Sequence, residues 1–171
     1  MKNVVAVAVL TGIVVMAGAV FTASKSDDEI LQRAKDREQI EDLMWRYARA
    51  LDTSDAATYA SLYTVDGQFS AGANATKGRE ALKSMITGTP QRPAGAQQAA
   101  RRPPMYHMTA NHQLRFIDKD HARIDAYYIT MVAAAGPDTP SRVAGVGRSI
   151  DELERVNGQW LIKSRNVAPM D

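Results

Sequence analysis

Histidine is the side chain best suited to move protons near neutral pH, and this chain has three, His107, His112 and His121. It has no cysteine, which removes thiolate nucleophiles, disulfides and cysteine-based zinc sites together. His121 follows Asp118-Lys119-Asp120 and reads as an exposed residue at the start of a strand. His107 lies in Met105 to Ile117, a run that reads as one long strand whose side chains alternate between faces. Alternation places His107, Thr109, Asn111, Gln113 and Arg115 on one wholly polar face, with Tyr106, Met108, Ala110, His112, Leu114 and Phe116 on the other. Such a polar row is either the solvated side of a half-buried sheet or the wall of a site with a base in it. His112, among apolar neighbours, reads as a packed core or interface residue. Because His107 and His112 point to opposite faces, no metal site is expected.

Asp52 is notable for its place. It closes a long helical pattern, where the partial negative charge of a helix C-terminus disfavours a carboxylate by about 0.3–1 kcal/mol. Either it opens a turn with Thr53 and Ser54, or another group holds it there. Asp52 and His107 gain chemical meaning together only if the fold brings them into contact.

The elements that would position them follow from periodicity. Asp27 or Asp28 can cap an amphipathic helix through Ile30, Leu31, Ala34, Ile40, Leu43, Met44, Tyr47, Ala48 and Leu51. Asp55 caps a second, short helix through Ala57, Ala60, Leu62 and Tyr63, and Asp66-Gly67 reads as a turn into a short strand around Phe69. A third helix runs from about Arg79 to Ile86 and stops at Gly88. Pro90 to Pro104, with its prolines and Arg101-Arg102, has loop composition and is placed to cover a pocket. Strands follow at Met105 to Ile117, Ala122 to Ala135, Val143 to Val156 and Gln159 to Val167, the last two joined at Asn157-Gly158, a strong hairpin signal. Three helices followed by an antiparallel meander make an α+β domain.

The start of the chain reads differently. Lys2 precedes an uncharged, mostly apolar run from Val4 to Ala23, so residues 1–23 are expected to be a signal peptide or an N-terminal membrane anchor, and 24–171 one domain outside the cytoplasm. The expected location is periplasmic, secreted, or anchored on the outer side of the cytoplasmic membrane. Formal net charge is +2, with 21 Lys and Arg against 19 Asp and Glu; that balance gives no field for nucleic acid.

Arg37-Glu38-Gln39-Ile40-Glu41-Asp42-Leu43, Tyr47 through Asp52, Leu62 through Gly67, His107 through Asn111 and Glu154 through Arg165 together resemble SnoaL-like domains of the nuclear-transport-factor-2-like (NTF2-like) superfamily. The resemblance implies a cone: three N-terminal helices packed on a strongly curved antiparallel sheet, open at one end to a small, largely apolar substrate. Scytalone dehydratase, bile acid dehydratase and hexachlorocyclohexane dehydrochlorinase pair a helix-end aspartate with a strand histidine, and Asp52 and His107 match those places. Tyr47 matches their helix tyrosine or lysine, and Arg165 their late arginine. Where ketosteroid isomerase carries its base, this chain has Ser70-Ala71, which argues against a plain isomerase of that kind.

The resemblance therefore implies a cofactor-independent lyase, a dehydratase-type elimination, with Tyr47, Asp52, His107 and Arg165 catalytic. Asn111 and Tyr127 complete the set as substrate-binding residues. The alternatives are a non-catalytic ligand-binding or membrane-anchored assembly module of the same fold, and an isomerase or polyketide cyclase. No cofactor and no metal are expected, and the membrane is expected to be met only through the N-terminal segment. A homodimer or homotrimer is expected through the sheet face that carries Tyr106, Met108, Leu114 and Phe116.

Overall fold

The structure is a computed structural model that describes residues 7–70, 74–88 and 103–169, with side chains from residue 27 onward. It comprises two compact units, Met1–Gln39 and Ile40–Asp171. Helix α1 (Val7–Thr53) contributes to both. It does not begin at Asp27 or Asp28: no proline interrupts residues 7–53, and isolated glycines such as Gly12 and Gly18 weaken a helix without ending it. In the first unit Ile30 and Leu31, expected on the apolar face, are exposed. Among the described residues no helix is long and apolar enough to cross a membrane. The run read as a signal or anchor has its side chains outside the described residues, as does most of the Pro90 to Pro104 loop.

The second unit is built around a six-stranded sheet in the order β2-β1-β6-β5-β4-β3. Its strands are β1 (Tyr63–Phe69), β2 (Thr76–Lys77), β3 (Met105–Phe116), β4 (His121–Val132), β5 (Arg142–Val156) and β6 (Gln159–Asn166). All neighbours are antiparallel except β1 and β6, which run parallel. Helices α2 (Ala56–Ser61) and α3 (Arg79–Thr87) complete the α+β unit. The core joins Ile40, Leu43, Tyr47 and Ala50 of α1, at spacings of three and four, to Tyr59, Tyr63, Leu82, Ile124, Leu153 and Ile162. Asp55 caps α2 by accepting from the Thr58 N–H at 3.0 Å.

Two local readings are corrected. Helix α2 ends at Ser61, and Asp66-Gly67 lies inside β1 rather than in a turn before it. Gly67 is there for closeness: a Cβ on it would stand 2.9 Å from the Ile162 carbonyl oxygen and from Tyr63 Cβ. At Asn157-Gly158 both residues have positive φ, 52° and 81°, the geometry that a tight hairpin between β5 and β6 needs.

A further correction bears on the site. Strand β3 pairs regularly with β4 from Met105↔Val132 to Ala110↔Tyr127, then resumes at Gln113↔Asp125. Two β3 residues, Asn111 and His112, oppose the single Ala126, a β-bulge, and Asn111 takes φ 49°. The bulge reverses the alternation. His107 and Thr109 face inward before it, and Leu114 and Phe116 face inward after it, paired with the buried Ile124 and Ala122.

Candidate active site

The inner face of the sheet and the end of α1 enclose a cavity of about 210 Å³. Tyr47, Ala48 and Leu51 come from α1, Tyr59 from α2 and Met85 from α3. The sheet supplies Phe69, His107, Thr109, Tyr128, Thr130 and Arg165. Inward positions on neighbouring strands line up because paired residues share a face: His107↔Thr130 and Thr109↔Tyr128.

Asp52 and His107 are in contact at the rim. Asp52 Oδ1 lies 3.0 Å from His107 Nδ1 and accepts the His107 backbone N–H at 2.9 Å. Arg49 Nη1 stands 3.4 Å from the other carboxylate oxygen. The Asp52 side chain is 9% exposed and the His107 side chain 27%, so the carboxylate is largely screened while the ring remains reachable. These donors offset the unfavourable helix terminus. An ionised carboxylate only accepts, so the contact assigns the proton to Nδ1 and leaves Nε2 as the free base.

Deeper in, Tyr47, Tyr59 and Tyr63 form an aromatic cluster, with the Tyr47 and Tyr59 rings 5.5 Å apart and the Tyr59 and Tyr63 hydroxyls 3.0 Å apart. Burial pushes the Tyr47 hydroxyl above its ordinary range, which keeps it protonated and a donor. The Arg165 guanidinium carbon lies 4.4 Å from the Tyr47 ring centre, a cation–π arrangement. Its Nη1 donates to Asp151 Oδ2 at 2.6 Å, and both side chains are buried. Burial raises the Asp151 carboxyl to about 6, against the lowering effect of Arg165.

The structure thus gathers Tyr47, His107 and Arg165 around one cavity, with Asp52 behind the histidine. It does not gather the other two expected residues. Asn111 is consumed by the bulge and exposed, and Tyr127 is 53% exposed on the outward face. Thr109 and Tyr128 take the inward places beside them. His112 is exposed rather than packed in the core, and lines a separate hollow of about 300 Å³ with Met44, Trp45 and Leu114. Asp151 was not singled out by motif, although a carboxylate between the apolar inward positions Ile124 and Leu153 marks it once the face is known. Among the described residues no cluster of three or more His, Asp or Glu is arranged to hold a metal.

A curved, unclosed sheet with helices at its inner face and a cavity between them is the NTF2-like, cystatin-like class of protein. The chain belongs to the SnoaL-like domain family, whose profile matches residues 32–166. No curated protein matches the sequence significantly. Among solved structures it is similar to the Mycobacterium tuberculosis protein Rv3472, of unknown function, at 23% identity and a TM-score of 0.66, covering 81% of this chain and 74% of that one. It is also similar to an NTF2-like protein with a cystatin-like fold from Novosphingobium aromaticivorans, at 22% identity and TM-score 0.65, covering 82% and 86%. A scytalone-dehydratase-like protein of the same organism matches at 21% identity and TM-score 0.63, covering 82% and 87%. At these identities the likeness is one of fold.

Proposed function

We propose that this protein is a cofactor-independent lyase that removes water from a small, hydroxylated, largely apolar substrate by proton abstraction. The observation that carries the reading is the 3.0 Å contact between Asp52 and His107 Nδ1 at the wall of a cavity that also holds Tyr47 and Arg165. His107 Nε2 takes a proton from the carbon next to the one that bears the hydroxyl. Asp52 stabilises the imidazolium so formed. The C–H electron pair becomes a C=C bond, the C–O bond breaks, and the hydroxyl leaves as water with the proton that His107 returns. Tyr47, kept neutral by burial, donates a hydrogen bond to the oxygen on which negative charge develops, and Arg165 against its ring strengthens that donor.

In this reading the apolar run near the N-terminus exports the domain or anchors it outside the cytoplasm, and fractionation of cells that express the full chain tests that part. The chemistry is tested by His107→Ala and Asp52→Asn against a panel of hydroxylated aromatic and polyketide-like compounds. Turnover that depends on both residues, with melting temperature nearly unchanged, is the expected result. Equal turnover in either variant removes the dyad from the mechanism, whereas binding of these compounds without turnover by the native chain makes a binding module the better account.

A further inference from the structure

Asp151 has no part in the elimination just described, and its position is unfavourable on its own terms. It sits on β5 at an inward place, fully buried, directly opposite Arg165 in the β5–β6 register and opposite Ile124 on β4. A leucine there would pack against Ile124 without any desolvation, and a buried ion pair is commonly no more stable than such a replacement. Asp151 does not line the cavity, whereas Arg165 does. Any influence of Asp151 on a ligand therefore passes through Arg165.

Charge accounts for that influence. Arg165 is the only Lys or Arg among the described residues that line the cavity. Its guanidinium is held at 2.6 Å by Asp151 and stands over the Tyr47 ring, so it brings donors to the wall without bringing net charge. At the rim, the negative charge of Asp52 is met by Arg49 and by the His107 N–H groups. The remaining wall is mostly apolar: Leu51, Phe69, Met85 and Tyr128. An anion that enters gives up its hydration and finds no uncompensated cation, whereas a neutral hydroxyl or carbonyl gives up far less.

We propose that Asp151 is the charge-selectivity residue of this cavity: by neutralising and fixing Arg165 it makes the cavity accept uncharged hydroxylated or carbonyl-bearing ring compounds and reject carboxylates of the same size. The inference rests on the cavity being the substrate site. It does not rest on elimination chemistry.

The test is isothermal titration calorimetry of the full chain at neutral pH with a matched pair of probes, naphthalenemethanol and naphthoate. The native chain is expected to bind the alcohol at least about tenfold more tightly than the carboxylate. Asp151→Asn, which leaves Arg165 uncompensated, is expected to reverse that order. Replacing the pair together, Asp151→Asn with Arg165→Gln, is expected to restore preference for the alcohol. Should Asp151→Asn fail to fold, Asp151→Leu decides: it packs against Ile124, leaves Arg165 equally uncompensated, and must reverse the order in the same way.

No binding of the alcohol, a native preference for naphthoate, or an unchanged ratio in Asp151→Asn overturns the proposal. Neither probe is a substrate for elimination. A fully active His107→Ala would sink the lyase reading while leaving the charge preference intact, and a native preference for naphthoate would do the reverse.

Discussion

A single oxygen of Asp52 receives both the backbone N–H and the ring Nδ1 of His107, at 2.9 and 3.0 Å. The carboxylate therefore fixes the start of β3 against the end of α1 and orients the imidazole in the same contact. The two roles separate by substitution. Asn at position 52 keeps an oxygen for the backbone N–H but supplies no negative charge for the imidazolium. Asp52→Asn is expected to lower turnover by about 10²–10⁴-fold with little loss of stability. Asp52→Ala also abandons the part-buried N–H and is expected to lose about 1–3 kcal/mol in urea unfolding. Equal stability of the two variants would show that the backbone contact holds nothing together.

The Asp151 carboxyl gives a pH signature with a definite sign. Burial raises it from 3.8 to about 6, with the charge of Asp125 adding to the rise and Arg165 opposing it. Between those values the folded chain holds a proton that the unfolded chain has released, so this group's contribution falls as pH rises from about 4 to about 6. The rise corresponds to about 3 kcal/mol. Asp151→Asn does not titrate. The stability of the native chain relative to Asp151→Asn is therefore expected to decline across that window and then level off, as read by denaturant unfolding at a series of pH values. A relative stability that instead grows with pH would show that attraction to Arg165 outweighs burial.

Asn111 carries the β3 bulge with φ 49°, a conformation open to Asn and Gly and strained for a β-branched residue. Asn111→Gly is expected to change stability by less than about 1 kcal/mol, and Asn111→Val to cost about 1–3 kcal/mol. Deleting Asn111 removes the bulge and leaves His107, Thr109, Leu114 and Phe116 on one face in unbroken alternation against β4. That deletion is expected to keep cooperative unfolding. A deletion variant that loses it would show that the bulge shapes the strand beyond setting which side chains face inward.

The same bulge marks how far the sequence could be read. Helices and strands were legible because their apolar positions recur at helical or alternate spacing, and Asn157-Gly158 announced its hairpin through backbone chemistry. The placing of Asp52, Tyr47 and Arg165 came from resemblance, since a helix-end aspartate and a late arginine are ordinary when read alone. Strict alternation along Met105 to Ile117 placed His107 and Thr109 correctly with one another and then sent Leu114 and Phe116 to the wrong face. A bulge leaves no apolar signature; only a residue tolerant of positive φ, Asn111, hints at it. Tyr127 and Tyr128 posed the same difficulty. Two adjacent tyrosines cannot both face inward, and the choice depends on register with β5, which one strand's composition does not contain.

That register also explains why Tyr128 is able to occupy the cavity wall. Its partner on β5 is Gly147, and a Cβ built there would stand 2.7 Å from Tyr128 Cε1 and 2.8 Å from its hydroxyl oxygen. The ring lies over the bare backbone of the glycine. Gly147→Ala must therefore push the ring off the strand, into space a ligand would use. It is expected to cost about 1–3 kcal/mol and to weaken binding of naphthalenemethanol. With the ring removed by Tyr128→Ala, the added methyl meets nothing, so the same Gly147→Ala change is expected to be nearly neutral. The two substitutions should show a coupling of about 0.5–3 kcal/mol in a double-mutant cycle read by chemical denaturation. Full additivity would mean that the tyrosine has an alternative seat, and that Gly147 does not shape the cavity.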